Sequence, residues 1–213
     1  MGQLPVVALT ISLFTGFFLW MWFQGLSPFA RVRSAARKRH WSFDEDADGL
    51  WYGLKGSHSG MNWLAEWNGR GLRPYVEVSV PDTHWVDGWW FVTPRERDLS
   101  EPPRFLAGAF TGKEQPEWFA EWMHAQVIAT GCPELDQDFV VAASSPLARE
   151  LVPIGILEQL RGLPVTFSKK VFLIRGRGKL VLHVEPVGKA DALPVIERLA
   201  VFAEQIVGAL SEK

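Results

Sequence analysis

The stretch "RPYVEVSVP", residues 73–81, decides the fold class because its side chains alternate between apolar and polar. Val76, Val78 and Val80 fall on one face of an extended chain, while the positions between them carry Tyr, Glu and Ser. This alternation is typical of a β-strand that has one buried face and one solvated face. The sequence therefore predicts antiparallel β-sheet, with the three valines facing a core.

Further segments on both sides of this stretch predict additional strands. The turn-forming "SHSG" at 57–60 separates "GLWYGLKG" from "MNWLAEWN", and the whole is typical of a β-hairpin. Two short strand candidates follow at 88–94 and 103–110. Residues 116–131 have the leading proline and the apolar spacing of a helix. We therefore expect a tryptophan-rich, β-dominated part at 49–130.

The last third of the chain predicts strands and helices in alternation. A strand at 138–144 precedes a helix at 145–162, and two strands within 165–186 meet at glycines that suit a hairpin turn. The final helix, residues 190–210, carries an apolar stripe at helical spacing. Its members are Leu193, Ile196, Leu199, Phe202, Ile206 and Leu210. We expect an α+β part at 131–213 whose helices cover one sheet face.

The amino-terminal run, residues 4–23, contains no charged side chain and has about the 20 residues that an α-helix needs to cross a bilayer. It predicts a transmembrane anchor at 1–26. A cleavable signal peptide would carry its positive charge before the apolar run, whereas the basic residues here follow it. Because basic flanks stay on the cytoplasmic side, we expect a single-pass protein of the bacterial inner (cytoplasmic) membrane. Its amino terminus would lie outside, and its body would be cytoplasmic.

A juxtamembrane segment at 27–48 is first basic and then acidic. One interpretation of its basic half is the flank that orients a membrane anchor. The other is a binding surface for anionic lipid head groups, at on the order of 1 kcal/mol for each cation. The five candidate residues are Arg31, Arg33, Arg37, Lys38 and Arg39.

Two more sets of candidates belong to the predicted anchor. Trp20 and Trp22 would lie near the inner membrane interface, where amphipathic indoles concentrate. Ser12, Thr15 and Gly16 form a small-residue patch where another helix could pack closely. The predicted partners are therefore the lipid bilayer and other integral membrane subunits, with anionic lipids as a further candidate.

The segment "FDEDADGLWYGLKG" raises the question of a calcium loop. Asp44, Asp46, Asp48 and Gly49 occupy the first, third, fifth and sixth positions of an EF-hand. The twelfth position, which should supply a bidentate carboxylate, holds Lys55. We therefore predict no metal site here and expect the acidic cluster to end the juxtamembrane segment or to pair with its basic residues.

Tryptophan is unusually frequent, with 11 in the chain, and most of these lie between positions 41 and 122. One interpretation places them in the core of a small β-rich domain. The other uses some of them as anchors in contacts with a partner, where tryptophan is enriched. The candidate partner contacts are Trp41, Trp51, Trp85, Trp89 and Trp90.

No motif predicts catalysis. The 5 histidines show no metal-ligand spacing, and Cys132 is the only cysteine. The glycines of "RGRGKL" lack the length and the Ser or Thr of a phosphate-binding loop. The net charge of −2 gives no reason to expect nucleic acid as a partner. We expect no enzyme, no catalytic residue, no metal and no cofactor.

The segment "TGCPELDQDFVVAASSPLARELVP", with the helix, hairpin and helix after it, resembles the carboxy-terminal part of uncharacterised bacterial single-pass membrane-anchored proteins. The resemblance covers about a third of the chain and rests on Gly131, Asp136, Phe139, Val140 and Val141. The chain departs from that family's pattern at positions 132 and 135, where it has Cys and Leu instead of Asp and Phe. The resemblance implies a fold and a location, and it implies no activity.

These features together predict an α+β protein with one transmembrane helix and a cytoplasmic body of antiparallel sheet and covering helices. Its predicted function is that of a non-catalytic accessory subunit that docks on and stabilises a larger bacterial membrane complex, such as a photosynthetic or respiratory assembly. The alternative is a membrane-tethered module that binds a ligand or lipid. A third, more distant alternative is an enzyme whose site assembles from dispersed residues.

Overall fold

The structure, a computed structural model, describes residues 14–16, 29–58, 60–83, 88–95, 125–145, 148, 152, 154–161, 171–176 and 178–211. Besides a short helical segment at 14–16, this part of the chain contains four helices with described bounds. They are α1 (Ala30–Lys38), α2 (Pro133–Asp138), α3 (Ile154–Arg161) and α4 (Ala192–Ser211). The strands are β1 (Ser42–Glu45), β2 (Trp51–His58), β3 (Met61–Asn68), β4 (Tyr75–Pro81), β5 (Trp89–Pro94), β6 (Gln126–Ile128), β7 (Phe139–Ala143), β8 (Val171–Gly176) and β9 (Lys179–Val184).

Within the described residues these strands form one nine-stranded sheet in the order β1-β2-β3-β4-β9-β8-β5-β7-β6. Every neighbouring pair is antiparallel. Strand β4 pairs with β9, and β5 pairs with both β7 and β8. The strands from 131–213 are therefore inserted among those from 49–130 within a single sheet.

One face of the sheet is covered by helices and forms the main core. Val76, Val78 and Val80 face this core and are fully buried, as the alternation in β4 predicts. Helix α4 packs on β3, β4 and β9 through its apolar stripe, in which Ile196 and Ile206 are fully buried. Because burial of each such side chain stabilises the fold by about 1.5–3 kcal/mol, this stripe holds the helix against the sheet.

The opposite face is divided in two. On β9, β8, β5 and β7 it is buried in a second apolar cluster that includes Trp89, Phe91 and Phe172. On β1 to β4 it is exposed or half-buried. We call this second region the open face, and its side chains are those of Ser42, Asp44, Trp51, Lys55, Leu64, Glu66, Asn68, Tyr75, Glu77 and Ser79.

The predicted fold class is wrong in two respects. The protein is mainly a large antiparallel sheet with few helices, instead of an α+β body behind a transmembrane helix. No helix in the described part of the chain is long and apolar enough to cross a membrane. The uncharged run 4–23 predicted such a helix because its composition suits lipid, but crossing requires a continuous helix of about 20 residues. Of that run the structure describes 14–16, and the rest lies outside the described residues.

Most of the predicted strands are confirmed, including the hairpin of β8 and β9 and the strand β7. The helix predicted at 116–131 is wrong at its end, because residues 126–128 form the edge strand β6. Pairing with β7 gives this short segment its conformation, which helical spacing in the sequence does not reveal. The strand predicted at 103–110 lies outside the described residues.

Candidate functional site

A hollow of about 400 Å³ lies in the open face beside the edge strand β1. The sheet pairing explains its composition, because polar and apolar side chains from four neighbouring strands meet on this face. The side chains around it belong to Ser42, Asp44, Trp51, Lys55, Leu64, Glu66, Glu77 and Ser79. The hollow therefore combines an indole ring, an exposed leucine, three carboxylates and one ammonium group.

Gly53 forms part of the floor of the hollow. A Cβ atom at this position would lie 3.0 Å from Cη2 of Trp51, so the indole rests directly on the glycine backbone. Any larger residue at position 53 would push the ring away from the sheet. Glycine thus fixes the indole as one wall of the hollow.

A hydrogen-bond network fixes Glu66, which forms the second wall of the hollow. The indole N–H of Trp51 donates to Oε2 of Glu66 over 3.0 Å, and the hydroxyl of Tyr75 donates to Oε1 over 2.9 Å. The amide of Asn68 donates in turn to the Tyr75 hydroxyl, at 3.2 Å. Burial, and then the neighbouring charge of Glu66, raises the pKa of Tyr75 well above its usual value, so the hydroxyl stays protonated and remains a donor. Glu66 is therefore held in one orientation by two donors.

A row of two glutamates and a histidine runs from the hollow into the buried half of the same face. Glu66 lies directly opposite Glu77, and Glu77 lies directly opposite His183. His183 is fully buried, with Nδ1 at 3.5 Å from Oε2 of Glu77 and Nε2 at 3.5 Å from Oε2 of Glu185. Sequence reasoning placed Glu77 on the solvated face of its strand but missed the row, because the register that aligns these strands is not visible in any one segment.

The groups around the hollow offer contacts for a charged or an apolar ligand. Carboxylates beside an indole attract cationic groups, and the leucine offers apolar contact. No group of three metal-ligating side chains occurs among the residues that the structure describes. Cys132 directly precedes α2, and its thiol donates to Oε2 of Glu134 in the first turn of that helix.

The acidic segment that resembles a calcium loop is the turn between β1 and β2. Oδ1 of Asp46 accepts the backbone N–H groups of Leu50 and Trp51, and Oδ1 of Asp48 also accepts that of Leu50. Arg70 pairs with Asp46 at 2.6 Å. These carboxylates are thus used to close a turn and to bind an arginine.

The five cations predicted as a membrane flank separate into two groups. Arg33 pairs with Glu45, and Arg39 pairs with Glu197 at 2.9 Å. The remaining three, which are exposed on or at the end of α1, are Arg31, Arg37 and Lys38. Helix α1 turns Phe29, Val32 and Ala36 toward the core, so its basic side faces away from the sheet.

The tryptophans predicted as partner contacts also occupy different environments. Trp41 is half-buried and packs edge-on against Trp63, with 4.8 Å between ring centroids. Trp51 is half-buried in the hollow, whereas Trp89 and Trp90 are buried at 3% and 1% exposure. Those two side chains belong to the protein interior, in agreement with the core interpretation.

Several other predicted residues lie outside the described part of the chain. They are Ser12, Trp20, Trp22 and Trp85. Thr15 and Gly16 are described, and both are exposed on a short helical segment, residues 14–16. A Cβ added at Gly16 would meet nothing within 4 Å.

Comparison with known proteins gives a likeness in structure and none in sequence. No protein-family model matches the sequence, and no curated protein is similar to it. Among solved structures, the crystal structure of the mycobacterial trehalose monomycolate transport factor A, TtfA, is similar in arrangement. The two share 8% sequence identity with a TM-score of 0.49, over 84% of this chain and 90% of that one. At that level of likeness we infer neither fold nor function from it.

Proposed function

We propose that this protein is a non-catalytic docking subunit that holds a partner protein on the open face of its sheet. The observation that carries the proposal is the contrast between the two halves of one sheet face. The half on β5, β7, β8 and β9 is buried, whereas the half on β1 to β4 is exposed or half-buried and contains the hollow. Leu64 stands at the hollow with 50% of its surface exposed, in a place where a partner would cover it.

The fixed geometry of the hollow supports binding in preference to chemistry. Glu66 accepts hydrogen bonds from both Trp51 and Tyr75, one at each oxygen, and these two donors orient it. The raised pKa of Tyr75 keeps that hydroxyl protonated and unsuited to act as a base near neutral pH. A preorganised surface of this kind loses little conformational entropy when a partner binds.

The test is purification of the tagged full-length protein from its native cells after mild detergent extraction, with the stoichiometry of every bound protein. We expect a partner in fixed ratio that is lost in Leu64→Asp and kept in Leu72→Asp. Leu72 is a matched control, because it is fully exposed in the β3–β4 turn, away from the hollow. A full-length protein that is recovered alone, or partners that survive Leu64→Asp unchanged, would contradict the proposal.

A second candidate function is the binding of a small ligand in the hollow. It is favoured by the volume of about 400 Å³, which falls within the range of small-molecule sites. A ligand that binds only the folded state raises the melting temperature, and the rise continues with the logarithm of the ligand concentration once that exceeds the dissociation constant. Screening for such a shift in the wild type and in Leu64→Asp, beside the purification above, separates this function from docking, since docking predicts a protein partner in fixed ratio and the ligand function predicts a shift without one.

We also propose that the protein works at a membrane surface, using the basic side of α1. Support comes from the outward placement of Arg31, Arg37 and Lys38, because cations near anionic lipid contribute on the order of 1 kcal/mol each. Vesicles containing phosphatidylserine should bind the wild type at least tenfold more tightly than a variant with glutamine at these three positions. The control variant carries glutamine at three exposed cations elsewhere, Arg73, Arg161 and Lys179. Equal loss in both variants would leave only non-specific charge attraction.

A further inference from the structure

We infer that the hollow recognises a cationic side chain, an arginine or lysine carried by a segment of the partner protein. This inference rests on the docking function proposed above and specifies the chemistry of the partner. It starts from the charge of the hollow, where three carboxylates face one ammonium group. The carboxylates are those of Asp44, Glu66 and Glu77, and the ammonium group is that of Lys55.

The register of the sheet places two of these carboxylates side by side. Glu66 and Glu77 are direct partners across β3 and β4, and like charges directly opposite each other destabilise a sheet. A cation seated between the two carboxylates would convert that repulsion into attraction. The pair is therefore arranged for a positive ligand that arrives from outside.

The indole of Trp51 strengthens the preference for a cation. Its N–H points to Glu66, while its six-membered ring covers Gly53 and borders the hollow. A guanidinium or ammonium group at such a ring gains cation–π attraction while it pairs with the adjacent carboxylates. Because Glu66 is already oriented by two donors, the site is formed before the ligand binds.

The apolar part of the hollow indicates a protein segment instead of an isolated ion. Leu64 is half exposed beside the carboxylates, and a volume of about 400 Å³ accommodates a long side chain with one neighbouring residue. Within the described ranges of the chain, no three His, Cys, Asp or Glu side chains are grouped so that they could hold a metal ion. An arginine or lysine next to an apolar residue matches both halves of the hollow.

The experiment follows the indole N–H signal of Trp51 in the nitrogen-proton NMR spectrum of the full-length protein. That signal is assigned by its loss in Trp51→Phe. The probes are the capped tripeptide Leu-Arg-Leu and the same tripeptide with citrulline, the neutral isostere of arginine. We expect the arginine peptide to shift the signal and to bind at least fivefold more tightly than the citrulline peptide. Its affinity should also fall as salt is added.

Variants of the acidic residues provide the second part of the binding experiment. Glu77→Gln should weaken the arginine peptide at least fivefold, whereas Glu158→Gln, on the exposed side of α3, should leave its affinity unchanged. If Glu77→Gln does not fold, Asp44→Asn replaces it. Its side-chain oxygen still accepts the backbone N–H of Glu45, as Asp44 does at 3.0 Å.

Each outcome supports or overturns the inference. Equal affinity for the two tripeptides, or no loss in Glu77→Gln and Asp44→Asn, would overturn it. Tighter binding of tetramethylammonium than of the arginine peptide would assign the hollow to a quaternary ammonium head group and overturn the choice of a protein segment. In either case a stoichiometric partner that is lost in Leu64→Asp would leave the docking function standing, so the two failures are distinguishable.

Discussion

The indole nitrogen of Trp51 lies 3.0 Å from Oε2 of Glu66, so the first residue of β2 is tied to the middle of β3 across the open face. This bond sets the position of both walls of the hollow. It also spans a hairpin whose eight residue pairs are in continuous register from Trp51 to His58. The stability of the fold and the binding that we propose therefore depend on the same contact, and the two effects can be measured separately.

Replacement of Trp51 by phenylalanine removes this hydrogen bond and keeps an aromatic ring. We expect the free energy of unfolding to fall by about 1 kcal/mol, the usual net value of one hydrogen bond. Urea denaturation measures the change. In a Glu66→Gln background the same replacement should have a smaller effect, and an equal effect in both backgrounds would show that the bond contributes nothing.

Gly56 is a position in β2 where a side chain would be tightly crowded. A Cβ there would lie 2.3 Å from the ring of Trp63 and 2.9 Å from that of Trp41. We expect Gly56→Ala to destabilise the fold by about 1–3 kcal/mol, because overpacking forces rings and strands apart. Gly155→Ala in α3 is the control, since its new Cβ meets nothing and alanine favours a helix. Thermal melting should move in opposite directions for the two variants.

The ion pair of Arg175 with Asp82 is buried, with both side chains almost inaccessible. Asp82→Asn leaves a buried cation, and we expect a loss of about 3–5 kcal/mol. The exposed pair of Arg161 with Asp138 is the comparison, because Asp138→Asn should cost less than about 1 kcal/mol. Denaturant titration of both variants tests the contrast, which fails if the two losses are equal. Combining Asp82→Leu with Arg175→Met should recover much of the loss, since apolar groups of similar volume replace buried pairs well.

The two tyrosines of the chain predict a clear alkaline limit of stability. Burial raises the pKa of Tyr52, and burial together with the charge of Glu66 raises that of Tyr75. Both pKa values lie above the unfolded value of about 10, so the stability that they contribute is complete below about pH 10. It is lost as the pH rises through the raised values. Tyrosinate absorbance should therefore appear only as the circular dichroism of the sheet is lost, and Tyr75→Phe should halve its amplitude. Ionisation near pH 10 in a folded protein would refute this.

The correct part of the fold prediction came from the spacing of apolar and polar side chains within single segments. In β4 the three valines are fully buried, and the final helix buries Ile196 and Ile206 as its stripe predicts. Such patterns are local, so one strand or helix reveals its own buried face. They do not reveal the order of the strands in the sheet. Nothing in the sequence of β5 indicates that it pairs with β7 and β8 while β4 pairs with β9.

The candidate site was likewise predictable from the sequence only in part. Glu77 was placed on the solvated face of β4, but its alignment with Glu66 on one side and His183 on the other depends on register between strands far apart in sequence. Trp51 was named as a partner contact because tryptophan concentrates in interfaces. Its role in the hollow became visible only with Gly53 beneath it and Glu66 beside it.

The most direct test of the docking function is site-specific photo-crosslinking in the native cells. Benzoylphenylalanine is introduced at position 64 in one variant and at position 72 in another, since both leucines are exposed but only Leu64 lines the hollow. The account predicts one discrete adduct of defined mass from position 64 and none from position 72. Adducts of equal yield from both positions, or none from position 64, would contradict it.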